Sequence, residues 1–193
     1  MTPLNMRMDP IVISPYDERW PGAFELERER LERVLRGGLA LGIEHIGSTA
    51  IPGMAAKPII DMLAVVLDID DVRHAVGPLG DLGWVSAPEP GNEKHRVRSF
   101  CTPSIANRTH HLHLVEEASQ GWRGTIAFRD YLRGHPGLAA AYAALKRELA
   151  LAHGADANKR DAYRDGKSRF IAEVTRVALE ADEPQLGPMR TAL

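Results

Sequence analysis

The sequence predicts an α+β domain, and two features carry that reading. Up to about residue 115, apolar residues come in short runs or alternate with polar ones, with Gly or Pro between the runs, as strands do. From Gln120 onward they recur every three or four residues, as helices do. The 193 residues, 44% hydrophobic and 26% charged, suffice for one core that removes roughly 70% of the unfolded surface from water. One domain over residues 11–182 is therefore expected, with flexible tails at 1–10 and 183–193.

Composition excludes some functions. Lys and Arg number 24 against 26 Asp and Glu, so no global field gathers nucleic acid or anionic membrane. No apolar run approaches the roughly 20 residues that span a bilayer. Cys101 is alone and cannot form an internal disulfide. No basic start, apolar core and cleavage site combine near the N-terminus, so a cytoplasmic protein is expected.

The elements follow in order. Ile11-Val12-Ile13 reads as a short edge strand ended by Ser14-Pro15. Asp17 then caps a helix whose apolar positions Trp20, Phe24, Leu31 and Leu35 fall near helical spacing, and Gly37-Gly38 stops it. The charges between them, Glu27 included, are of mixed sign and form a solvated face. A strand over Leu39–Ile46 leads to Gly47-Ser48-Thr49, and Ile59–Leu67 forms a largely buried strand carrying one acid, Asp61. Asp68, Asp70 and Asp71 cap a helix through Val72, Val76 and Leu79. Leu82–Val85 is a short strand, and the Pro- and Gly-rich loop Ala87–Asn92 is placed to cover a site. Lys94–Phe100 alternates with a period of two that puts Arg96 and Arg98 on one face, and Asn107–Val115 is the next strand. Three helices close the chain. Their stripes are Trp122, Ile126 and Leu132; Leu138, Tyr142, Leu145 and Leu149; and Tyr163, Phe170, Val174 and Val177, the last helix capped by Asp156.

Chemistry concentrates in Glu44–Val66. A small-residue turn at Gly47-Ser48-Thr49 offers backbone N–H groups and two hydroxyls to a phosphate, and Lys57 adds a compact positive charge nearby. Asp61, in an apolar strand, needs a cation or hydrogen bonds unless it merely caps the strand end near a surface turn. On the later strand His111 and His113 share a face, suited to holding a metal or donating to phosphate, or else lying exposed with no task. Lys146 and Lys167 emerge at or beside apolar stripes. Either their stems snorkel toward water, or both ammoniums reach a shared anion pocket.

The string from His45 through Gly47-Ser48-Thr49, Pro52-Gly53 and Lys57-Pro58 to Asp61 resembles the signature of the GrpB family. His110-His111-Leu112-His113, Phe128-Arg129-Asp130-Tyr131, Tyr142 with Lys146, and Tyr163 with Lys167 and Phe170 resemble later family motifs in the same order. The resemblance runs from about Ile11 to about Glu180 and implies a nucleotidyltransferase-like mixed β-sheet flanked by helices. It implies a nucleotide or phosphorylated small molecule held by Gly47, Ser48, Thr49, Lys57, Arg129, Lys146 and Lys167. Asp61, His111 and His113 become the catalytic and metal-binding set, with Mg²⁺, Mn²⁺ or Zn²⁺ as the divalent ion. The chain departs from the superfamily pattern of two acids two residues apart on one strand, because Ile59 and Leu63 flank Asp61. One reading is therefore a transferase that moves a nucleotidyl or related phosphorus group to a small acceptor. The other is a noncatalytic binding protein with an incomplete metal site.

Overall fold

Alternation along two central strands sets the architecture. The computed structural model describes residues 10–35, 39–89, 92–119 and 121–182. Strand β1 (Ala40–Ile46) pairs antiparallel with β2 (Ile60–Val66). β2 pairs parallel with β5 (His110–Glu116), β5 antiparallel with β4 (Val97–Thr102), and β4 antiparallel with the short β3 (Val85–Ser86). The order β1-β2-β5-β4-β3 makes one mixed sheet.

Successive strand residues point to opposite faces. Ile60, Met62, Ala64 and Val66 of β2 join Leu112 and Leu114 of β5 in the main core, closed by Trp20, Phe24, Leu31 and Leu79. Those four come from helices α1 (Trp20–Val34) and α2 (Val76–Asp81). The opposite face carries Asp61, Leu63, His111 and His113. The parallel register sets Asp61 beside His111 and Leu63 beside His113.

Helices α3 (Gly121–Gly134), α4 (Pro136–His153), α5 (Arg160–Asp165) and α6 (Ser168–Asp182) form the C-terminal part. Leu132, Tyr142, Ala143 and Val174 pack on Ile51 and Met54, from the segment that joins β1 to β2. This contact fixes the helices against the sheet end that bears Asp61. Among the described residues no helix is long and apolar enough to cross a membrane.

Several expectations change. Ile11–Ile13 forms no strand; Ser14 makes an isolated bridge to Ala56, while Ile11 N–H donates to Gly154 O at 2.8 Å. A strand of three residues cannot compete with these separate anchors. Arg96 lies outside β4 at φ 54°, turned to meet Glu116 and Asp70, so Arg96 and Arg98 do not share a strand face. The final helix is broken at Gly166-Lys167. Asp17 accepts from the Arg19 N–H at 2.9 Å, one residue ahead of α1, whose N-cap is Arg19. Glu27 is buried and accepts from Trp84 Nε1 at 2.9 Å, in place of the solvated face that its neighbours suggest. The helix stop at Gly37-Gly38 and the tails at 1–9 and 183–193 lie outside the described residues.

Candidate functional site

Gly47 turns the chain out of β1 at φ 72° and ψ −171° and opens a single 3-10 turn, Ser48–Ala50. A Cβ at Gly47 would lie 2.5 Å from Asp61 Oδ2, so the turn and the acid meet more closely than any other residue permits. The Thr49 hydroxyl, in contrast, donates to Ile59 O at 3.2 Å and so accepts from His45 Nε2 at 3.0 Å. It is 1% exposed. Thr49 therefore borders the cleft while its hydroxyl ties the turn to the start of β2, and the expected phosphate-binding hydroxyl is not available. His45, stacked on Phe24 with ring centroids 4.7 Å apart, is the other half of that tie. Burial pushes its imidazole down to about 4, so it stays neutral and donates from Nε2.

Asp61 stands on β2 with about a third of its side chain open to the cleft. Burial alone would raise its carboxyl, but His111, His113 and Lys57 together hold it below the usual range. His111 Nδ1 lies 3.7 Å from Asp61 Oδ1, and His111 Nε2 lies 3.7 Å from Glu89 Oε1. The two imidazole rings are 4.1 Å apart. His113 Nδ1 meets Ser99 Oγ at 3.2 Å, which itself accepts from Asn92 Nδ2 at 2.8 Å, leaving His113 Nε2 for other work. Burial, then the neighbouring His111, push the His113 imidazole down to about 4. One donor atom from each of Asp61, His111 and His113 lies within 4.8 Å of the others, a spacing that fits one divalent ion. His111 Nε2, the ring nitrogen on the Glu89 side, is buried without a hydrogen-bond partner.

Cations arrive from separate segments. Lys57, Lys146 and Lys167 line one cleft of about 290 Å³ with Gly47, Ser48 and Asp61. Lys57 and Lys167 lie over the Tyr163 ring, 5.4 and 4.5 Å from its centroid, and Lys146 lies 4.9 Å from that of Tyr142. Lys146 is 2% exposed and donates to Ala55 O at 2.7 Å, so its stem does not run out to water. Burial, reinforced by Lys167, Arg147 and Lys57, pushes its ammonium down to about 7. Burial lowers Lys167 as well.

At Gly166 the break before α6 packs close against α4. A Cβ there would lie 2.5 Å from Leu149 Cδ2, and Lys167, next in sequence, shares the cleft with Lys146. Arg129, expected among the phosphate ligands, does not line that cleft. Its guanidinium donates to Glu44, Asp130 and the carbonyl of His45, tying α3 to β1. Glu89 and Arg108 line the cleft although nothing in their local sequence marks them. The Pro- and Gly-rich composition around Glu89 signals a loop over a site without singling out Glu89 as the residue that reaches it.

The family model described as GrpB protein matches residues 10–177. This chain belongs to the GrpB family. It is 40% identical over 156 residues to the UPF0157 protein YqkA of Bacillus subtilis, covering 81% of this chain but only 43% of that relative. A crystal structure of the conserved protein GrpB from Enterococcus faecalis superposes with TM-score 0.77 at 34% identity, covering 88% of this chain and 98% of the other. A slighter likeness, TM-score 0.45 at 13% identity over 69% of this chain and 40% of the other, is to Cid1 in complex with ApU, too weak to bear on what this GrpB chain binds or does.

Proposed function

We propose that this GrpB-family protein binds a nucleotide or phosphorylated small molecule, its phosphate held between the Gly47-Ser48 turn and the ammoniums of Lys57, Lys146 and Lys167. The observation that carries this reading is their convergence: lysines from three separated segments, two of them desolvated enough to lose basicity, line one cleft. Crowded cations of this kind are relieved by a multivalent anion, which restores the charge that burial disfavours. Asp61, His111 and His113 would hold one divalent ion beside it, which supplies Lewis-acid polarisation of a phosphoryl oxygen when bound. Nitrogen donors in the set favour zinc or manganese over magnesium.

A second reading, nucleotidyl transfer to a small acceptor, is favoured by the position of Asp61 and His111 in that same cleft. In that reaction an acceptor oxygen forms a bond to the α-phosphorus, the α–β phosphoanhydride bond breaks, and pyrophosphate departs. The acceptor's proton would pass to the Asp61–His111 pair. Leu63 fills the position of a second acid and packs with Ile46 and Val115, so only one strand carboxylate is available.

A thermal-shift screen of nucleotides and phosphorylated metabolites, each with and without Mg²⁺, Mn²⁺ or Zn²⁺, tests both readings. A ligand present at 100 times its dissociation constant should add roughly 2.7 kcal/mol of stability. Binding lost in Lys167→Ala supports the anion cleft, and binding that survives in Lys57→Ala, Lys146→Met and Lys167→Ala alike overturns it. Pyrophosphate release that stops on chelation and in Asp61→Asn supports transfer, whereas binding without release under any metal favours the noncatalytic reading.

A further inference from the structure

Beyond the lysine cleft, the same sheet face opens into a second hollow. Two steps along each central strand lead from one to the other: Asp61 and His111 line the cleft, Leu63 and His113 a groove of about 600 Å³. Its floor is apolar, formed by Ile46, Leu63 and Val115, and the Trp122 indole stands at its wall. The indole is held in place by donation from Nε1 to Glu117 O at 3.1 Å. Thr125 of α3, Asn92 and the basic residues Lys94, His95 and Arg96 line the rest of the groove. Hydrophobic residues with one anchored aromatic and a few polar groups are the usual lining of a small-molecule pocket.

We propose that this groove is the base subsite of a nucleoside phosphate whose phosphate occupies the lysine cleft. The proposal rests on the phosphate reading above and adds what it leaves open, the chemical class of the rest of the ligand. Two residues along a strand span roughly 6.6 Å, a distance a pentose bridges between its 5′-phosphate and its base. The His111–His113 pair lies under that bridge, and the base lies flat between the apolar floor and Trp122. A sugar phosphate without a base would leave the groove in water.

The test compares adenosine and uridine 5′-monophosphate with ribose 5-phosphate by calorimetry and by tryptophan emission. Trp20 and Trp84 are buried, so a ligand-induced change in emission reports on Trp122. Both nucleotides should bind at least tenfold more tightly than ribose 5-phosphate and quench Trp122, which ribose 5-phosphate should not do. Thr125→Trp, which fills the groove, and Trp122→Ala, which removes its wall, should each bring the nucleotides down to the affinity of ribose 5-phosphate and leave ribose 5-phosphate itself unchanged. Equal binding of all three ligands, or a preference that survives both variants, overturns the base subsite while the lysine cleft stands. If instead ribose 5-phosphate is indifferent to Lys57→Ala, Lys146→Met and Lys167→Ala alike while Thr125→Trp still abolishes the nucleotide preference, the groove stands and the lysine reading falls. Failure of all three ligands to bind overturns both.

Discussion

Gly47 and Asp61 occupy space that only a residue without a side chain can share, since a Cβ on the first would lie 2.5 Å from the carboxylate of the second. At φ 72° the backbone also disfavours any other residue. Gly47→Ala should therefore cost about 1–3 kcal/mol and displace Asp61, lowering Zn²⁺ or Mn²⁺ affinity at the same time. The double variant Gly47→Ala/Asp61→Gly should recover part of the stability and none of the metal binding. Denaturant titration and metal calorimetry on the four forms measure the coupling.

Lys146 gives the unliganded protein an alkaline preference. Its folded pKa, about 7, lies below the ordinary 10.5, so across that interval the unfolded chain binds more protons and stability rises with pH. Lys146→Met should flatten the rise in a chemical-denaturation series between pH 7 and 10. Binding of pyrophosphate at pH 8.5, roughly 1–2 units above that pKa, should draw a proton from solution, visible as a dependence of calorimetric heat on buffer ionisation enthalpy.

His45 works at the acid end. Its imidazole is held neutral down to about 4, against 6.5 ordinarily, so acidification between those values protonates the unfolded chain first and destabilises the fold. The loss from this group should be on the order of 2–3 kcal/mol, with His113 acting in the same direction. His45→Gln, which can still donate to Thr49, should lose less stability on going from pH 7 to pH 4.5 than the parent protein.

The buried pair Glu27 and Trp84 tests the other face of the sheet. Glu27→Ala strands the Trp84 Nε1–H in the core and should cost about 1–3 kcal/mol. Removing both polar groups with Glu27→Leu/Trp84→Phe should cost less than Glu27→Ala alone. Thermal denaturation of the three variants decides.

Leu63→Asp would place a second carboxylate on the strand face of Asp61. Divalent affinity should rise, at a cost of about 2–4 kcal/mol, because Leu63 is buried among Ile46 and Val115. The comparison is metal calorimetry beside chemical denaturation of the same variant.

The sheet is legible in the sequence because its two faces impose opposite demands. In β2 Asp61 stands out as the one acid of an otherwise apolar strand, and in β5 alternation sets His111 and His113 on the face opposite His110, Leu112 and Leu114. The lysine convergence is visible as charges at apolar stripes. Thr49 misleads because its acceptor, Ile59 O, comes from across the loop and leaves no trace in local spacing. Arg129 misleads for the same reason, since Glu44 and the His45 carbonyl claim it through tertiary contact. The break at Gly166-Lys167 is hidden because the apolar positions on either side keep a helical period. Glu89 reaches the cleft on a loop, where no period exists to reveal it.

The cleft belongs to neither half of the chain alone. Asp61 and His111 stand on the sheet, whereas Lys146 and Lys167 come from the helices packed against Ile51 and Met54. A molecule lodged among them acts as a clasp, and its affinity reports how firmly the two halves are closed. Damage far from any ligand would loosen the clasp from behind. Gly124 of α3 is such a place, because a Cβ added there would lie 3.0 Å from Thr175 Cγ2 of α6, so that the contact between the two helices must give by a few tenths of an ångström.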